Sequence, residues 1–291
     1  DLDWIALLLP RLPVQTRGRA NGVLQLTGGD PQPSLDGNLE IEAGYFSISG
    51  QRATAGPLHG RLRFEGSQIV VERLVLDSGP GDASVSGGFG WSLSGFRDVD
   101  LSLRLDDFGF DQLGVVRSVL NGELNAKGRI EALDVTGRVA LSNVRVSFPS
   151  AEDPVLKEIR VLNLPAQRGA TSIQESGAQI AGIGAQSRVA VVISLPAGTW
   201  VRGMGLDAEV VGDVTVSKPP GEATSYAGVL EVTNGRYTLQ GKRFELERSV
   251  AMFAGVGQPI PDLDIRAVRQ VSREVKVTAH VRGPANAPTL E

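Results

Sequence analysis

The sequence predicts an all-β protein built from many similar strands, and three observations carry that expectation. Apolar and polar residues alternate with a two-residue period through most of the chain, which marks strands with one wet and one dry side. Glycine occupies 36 of 291 positions, above the usual share of roughly 7% and without a collagen period, so turns and bulges should be frequent. Aromatic residues make up only 5%, which leaves Val, Leu, Ile and Ala to fill the dry side.

In chain order, Asp1 to Leu12 reads as a short helix, with Leu2, Ile5, Leu8 and Leu9 on one stripe and Pro10 stopping it. Alternation begins at Gly22 with Val23, Leu24 and Leu26, passes breakers from Gly28 to Pro33, and resumes from Gly37 with Leu39 and Ile41. Arg61 to Glu65 alternates around Leu62 and Phe64. Asp98 to Asp106 is the cleanest strand, with Val99, Leu101, Leu103 and Leu105 opposed by Asp98, Asp100, Ser102, Arg104 and Asp106. Asp111 to Leu120 reads as a second short helix, and Gly122 to Gly128 restarts the strands. Between Pro149 and Gly198 the pattern is weakest. Val155 to Leu164 fits a strand or a helical turn, Ala166 to Gly177 a loop, and Val189 to Leu195 a buried strand.

Val214 and Val216 face away from Asp213, Thr215 and Ser217, and the breaker-rich loop from Lys218 to Glu222 follows. Leu230 and Val232 continue the dry side up to Asn234-Gly235, a strong hairpin signal. The step from Val232 to Tyr237 is odd, so the chain either turns back there or bulges. Glu274 to Arg282 closes the series, with Val275, Val277, Ala279 and Val281 opposite Lys276, Thr278, His280 and Arg282.

Three segments superimpose: GNLEIEAGYFSI from Gly37, GRVALSNVRVSF from Gly137 and GVLEVTNGRYTL from Gly228. In each, a glycine opens, two apolar residues follow two apart (Leu39 and Ile41, Val139 and Leu141, Leu230 and Val232), and a second pair returns on the opposite parity. Such self-similarity implies an extended architecture that grows by adding similar strands.

The composition excludes several functions. Net charge is −4 with the signs interspersed, so the concentrated positive stripe that nucleic acid requires is missing. There is no cysteine, hence no disulfide and no thiolate chemistry. The longest apolar run, Trp4 to Leu9, falls far short of the roughly 20 residues that span a bilayer. The ends at Asp1 and Glu291 read as cuts through a longer protein. No nucleophile elbow, dinucleotide fingerprint or phosphate loop occurs. His59 and His280 lack the companions of a metal site, and His280 sits on the polar side of its strand. Asp106-Asp107 and Asp262/Asp264 read as strand-end and edge carboxylates, so no catalytic, cofactor or metal residue is expected.

The dry side remains. An apolar sheet face must be covered, by a second sheet as in a sandwich, by closure into a barrel, or by something foreign lying in an open trough. The residues alone make the sandwich the default, although so few aromatics suit a gap of about 10 Å poorly.

The order P-x-G-x-x-V-R-G-x-G-L-D-A-E-x-x-G-x-V-x-V from Pro196 to Val216 resembles the C-terminal domain of the TamB family. So do G-x-L-x-V-x-x-G-R-Y-x-L-x-G from Gly228, F-A-G from Phe253 and P-x-L-D-I-R-A from Pro261. TamB proteins are subunits of the bacterial translocation and assembly module, related to the AsmA-like proteins; the likeness is densest from Pro196 to Pro288. The resemblance implies an elongated, twisted β-sheet curled into a taco-like trough with an apolar interior. It implies a periplasmic address, with an inner-membrane anchor helix absent from this piece. It also implies one continuous domain over 1–291, with related units near 22–110, 121–200 and 201–291, lacking the last segment that family members carry.

Two functions follow from the resemblance. One is a non-enzymatic conduit for phospholipid acyl chains between inner and outer membranes. The other is a scaffold for assembling outer-membrane proteins and autotransporters with TamA, a β-barrel of the Omp85 class. The groove would be lined by Leu39, Ile41, Leu62, Phe64, Val99, Leu101, Leu103, Leu105, Val139, Leu141, Val214, Val216, Leu230, Val232, Val275, Val277 and Val281.

Overall fold

The computed structural model describes residues 14–28, 34–48, 54–92, 95–112, 116–147, 186–203, 205–239, 241–273 and 275–291. These form seventeen strands in one sheet, with no helix among the described residues. The first eight are β1 (Val14–Thr27), β2 (Ser34–Ile48), β3 (Thr54–Glu65), β4 (Gln68–Asp77), β5 (Asp82–Ser92), β6 (Gly95–Gln112), β7 (Val116–Arg129) and β8 (Ala132–Val146). The rest are β9 (Arg188–Leu195), β10 (Trp200–Gly203), β11 (Leu206–Lys218), β12 (Ser225–Leu239), β13 (Lys242–Leu246), β14 (Ser249–Val256), β15 (Asp262–Gln270), β16 (Lys276–Pro284) and β17 (Thr289–Leu290).

The sheet is an elongated, curled meander in which strands pair antiparallel with their neighbours in sequence. Two ranks are shared. β9 and β10 both lie between β8 and β11, and β13 and β14 both pair with β12 and β15. Among the described residues only β8 with β9 and with β10 pair in parallel. A parallel neighbour needs a crossover of a dozen or more residues, and the chain has that length between Val146 and Arg188.

Where a shared rank breaks, buried hydroxyls replace the interrupted ladder. Thr199, 1% exposed, donates to the Leu141 carbonyl (3.2 Å), and its own carbonyl accepts from the Val210 amide (2.9 Å). Ser249, also 1% exposed, donates to the Glu247 carbonyl (2.9 Å) and accepts from the Arg266 amide (3.2 Å). Ser187 accepts from the Leu133 amide (3.0 Å) where β9 begins. A buried peptide group left without such a partner would be destabilised by about 1–3 kcal/mol.

Curvature comes from bulges and glycines. Eight strand pairings shift register, and each bulge bends its strand and raises the local twist. The three repeated segments are the second strands of three such bulged pairs, β1/β2, β7/β8 and β11/β12. Each pair also carries a crossed glycine contact. Gly22 faces Leu39 while Leu24 faces Gly37, Gly122 faces Val139 while Leu124 faces Gly137, and Gly212 faces Leu230 while Val214 faces Gly228. At Gly122 and Gly137, with φ of +156° and +151°, a Cβ would overlap a carbonyl oxygen of the partner strand. Backbones that approach this closely fold the sheet at that point.

Two expectations are corrected. The described residues between Asp111 and Leu120 are strand rather than helix: Gln112 ends β6, Val116 begins β7, and Arg117 pairs with Asp111. The β-branched valines there suit a pleated surface better than a helix, and a neighbouring strand waits on each side. Asn234-Gly235 is not a hairpin turn, because both residues lie inside β12 opposite Glu209 and Ala208. The parity change is a bulge at Thr233, the second of the two readings left open. The helix expected over Asp1 to Leu12, and the stretches Val155 to Leu164 and Ala166 to Gly177, lie outside the described residues.

Candidate functional site: a continuous apolar trough

Cross-strand register assembles the dry faces into rows that run along the sheet. One row is Ala20, Ile41, Gly60, Leu74, Val85, Leu103, Leu124, Gly137, Val191, Val216, Tyr226 and Gly255, each directly opposite the next. It crosses twelve ranks without a charge. At the usual strand spacing it is about 50 Å long. A neighbouring row holds Leu58, Leu76, Ala83, Leu105, Gly122, Val139, Ile193, Val214, Gly228 and Phe253. A third holds Gly22, Leu39, Leu62, Val71, Gly87, Leu101, Ala126, Val135 and Val189.

The buried apolar side chains among the described residues, Val268 apart, belong to this face. Nine of them form three clusters. The first centres on Leu39, Phe64 and Ile69, the second on Ala83, Leu105 and Val139, and the third on Leu195, Ala208 and Val210. The first draws on β1 to β5, the second on β4 to β8 and the third on β8 to β13, so each uses consecutive ranks only. No cluster joins distant strands, as the two layers of a sandwich would require. Burial of Ile41 to 4% and Val216 to 8% in a single sheet therefore follows from the sheet wrapping around its own dry side.

The opposite face is charged and solvated. Arg61 meets Glu40 (3.3 Å) and Lys127 meets Asp100 (3.2 Å) across paired positions, all four side chains more than half exposed. Arg63 lies 3.1 Å from Glu72. Such pairs add little stability each, but they mark which face meets water. His280 Nε2 lies 2.5 Å from Asp264 Oδ1 on this face. That hydrogen bond holds the Asp264 carboxyl below its ordinary range; partial desolvation opposes it, while the charges of His280, Arg282 and Arg266 add to it.

The structure places the residues named from sequence as follows. Ile41, Leu103 and Val216 share the first row, Leu105, Val139 and Val214 the second, and Leu39, Leu62 and Leu101 the third. Phe64 faces Gly37 and Ile69, and Val99 faces Gly128. Leu141 faces Leu120, Leu230 faces Gly212, and Val232 faces Val210. Val281 faces Ile265, whereas Val277 faces Arg269 and is 44% exposed, and Val275, 50% exposed, precedes β16. Sequence reading missed Leu74 and Val85, because the bulge at Glu72 and Arg73 breaks the alternation between Val71 and Leu74. It also missed Phe108, which follows the bulge after Leu105, and its partner Leu120, hidden by the expected helix.

Among the described residues no three His, Asp or Glu side chains gather as a metal site, and no helix is long and apolar enough to cross a membrane. No curated protein matches the chain. The family model for the TamB C-terminal domain matches residues 72–291, from the middle of β4 through β17. That family gives the chain a TamB-related role in a transport and assembly module and an envelope-associated, periplasmic setting. With the match running through most of a sheet that presents this unbroken dry face, the chain belongs to the TamB family.

Proposed function

We propose that the trough holds the acyl chains of phospholipids in the space between the two membranes, as a conduit that performs no covalent chemistry. The observation that carries this reading is the charge-free row from Ala20 to Gly255. Its length of about 50 Å exceeds a single acyl chain of about 15 Å, half the hydrocarbon core of a bilayer, so several lipids fit in line. Each buried methylene contributes about 0.8 kcal/mol. Smooth Leu, Val and Ile walls provide many equivalent weak contacts rather than one tight pocket, which suits a cargo that must move.

Exposure along the dry face supports passage. The middle is buried, while Leu26 at one end is 65% exposed, and Val277 and Leu290 at the other are 44% and 70% exposed. Protein purified without detergent should carry phospholipid detectable by native mass spectrometry. Leu103→Asp and Val216→Asp should lower bound lipid at least tenfold while far-ultraviolet circular dichroism keeps its strand signal. Lipid-free native protein, or undiminished lipid in both folded variants, would overturn the conduit.

The second reading is a scaffold that pairs with outer-membrane protein clients by β-augmentation, acting with a TamA-like barrel. The observation favouring it is β1, a 14-residue strand that pairs only with β2 among the described residues and exposes Val23 by 79%. Proline substitutions along β1 should abolish capture of unfolded barrel peptides if this reading holds and leave lipid content unchanged.

A further inference from the structure

On the charged face, three arginines stand on successive ranks directly opposite one another. Arg117 pairs with Arg145, and Arg145 with Arg202. The line extends outward to Asp111, opposite Arg117, and to Asp207, Arg236 and Glu245 beyond Arg202. Like charges at directly opposed positions repel, and adjacent ranks are only about 5 Å apart. The outer arginines are compensated: Arg117 Nε lies 2.7 Å from Asp111 Oδ2, while Arg202 and Arg236 share Asp207 at 3.1 and 2.5 Å. Arg145, exposed between them, has no ion pair or hydrogen bond among the described residues. Four guanidinium groups thus meet three carboxylates, and the excess positive charge falls at Arg145.

The position of this line matters as much as its charge. Arg117 is the second residue of β7, and Arg145 and Arg202 are the next to last of β8 and β10, so all three stand one residue from the strand ends that form a lip of the trough. Immediately beyond them the dry face continues with Val116 opposite Val146. β10 ends at Gly203, where a Cβ would overlap the Val146 carbonyl oxygen, which keeps that part of the lip to bare backbone. The side chain of Trp200 lies under Arg202, its ring centroid 5.2 Å from the guanidinium carbon, and steadies that arm.

We propose that Arg117, Arg145 and Arg202 form a phosphate-binding notch on the lip that takes the phosphodiester headgroup of a lipid whose acyl chains lie in the trough. This rests on the conduit reading for the source of the phosphate, though not for the anion chemistry itself. Planar guanidinium groups match phosphate oxygens bidentately, and an arriving anion relieves the repulsion at Arg145.

The test equilibrates the full chain with phosphatidylglycerol or with diacylglycerol bearing the same acyl chains, and counts bound lipid by native mass spectrometry. Inorganic phosphate is titrated separately by calorimetry. The native chain should prefer phosphatidylglycerol roughly tenfold. Arg145→Ala and Arg145→Gln should bring that ratio near one with diacylglycerol binding unchanged, and added salt should shrink the native preference. Equal binding of the two lipids, or an unchanged preference in both variants, overturns the notch and leaves the conduit standing. Phosphate binding that Arg145→Ala abolishes, with neither lipid retained, supports the notch and overturns the conduit. Retention of none of the three overturns both.

Discussion

Gly228→Ala isolates the device that shapes the trough. Gly228 has a φ of +154°, and a Cβ there would fall well inside the 3.0 Å limit of real contacts, against the carbonyl oxygen of Asp213 and the Cα of Val214 on the adjoining strand. Relief requires the β11 and β12 backbones to part by about 1 Å, which strains at least one ladder hydrogen bond and holds a non-glycine residue in a sparsely populated conformation. Together these cost roughly 3 kcal/mol. Gly221→Ala is the matched control: its φ is also positive, at +74°, but nothing lies within 4 Å of its Cβ, so only the left-handed backbone is charged, about 1 kcal/mol. Urea unfolding followed by circular dichroism should place Gly228→Ala about 2 kcal/mol below Gly221→Ala. Equal losses would show that the close approach of the strands contributes nothing and would refute the glycine account of the fold.

Two further outcomes follow from side chains. Because the folded pKa of Asp264 lies below its ordinary value of 3.8, the native state binds that proton less readily than the unfolded chain. The stabilisation is therefore present above the ordinary carboxylate range and lost as pH falls through the folded value. Asp264→Asn should flatten the decline of the urea midpoint below about pH 4, measured against the native chain in the same buffers; an unchanged slope would remove Asp264 from the acid response. Ser249→Ala removes the acceptor of the part-buried Arg266 amide hydrogen bond and should cost about 1 kcal/mol, with hydrogen exchange accelerated first at β13 to β15. Uniform exchange across the sheet would show that the hydroxyl does not seal the break between β13 and β14.

Strands were legible wherever alternation ran unbroken, as from Val99 to Leu105 and from Val189 to Leu195. They were lost where a bulge shifted parity, as between Val71 and Leu74, or where valines happened to recur at helical spacing, as from Asp111 to Leu120. A bulge gives weak local signal because its cause is the length of the partner strand, which can lie many residues away. Asn234-Gly235 misled for the same reason: the dipeptide permits a turn, but β11 and the β13/β14 rank already flank β12 on both sides.

The sequence by itself determined that the protein is made of one-sided strands, that its greasy residues are aliphatic, and that three glycine-led segments share a plan. These depend on side-chain period and composition, which are local properties. Only the tertiary structure decided that the one-sided strands join a single layer instead of two, that the glycines of neighbouring strands cross to fold it, and that Arg117, Arg145 and Arg202 meet at one lip. Those features depend on register between ranks, and register is fixed by which faces can be buried together, a condition that no strand satisfies alone.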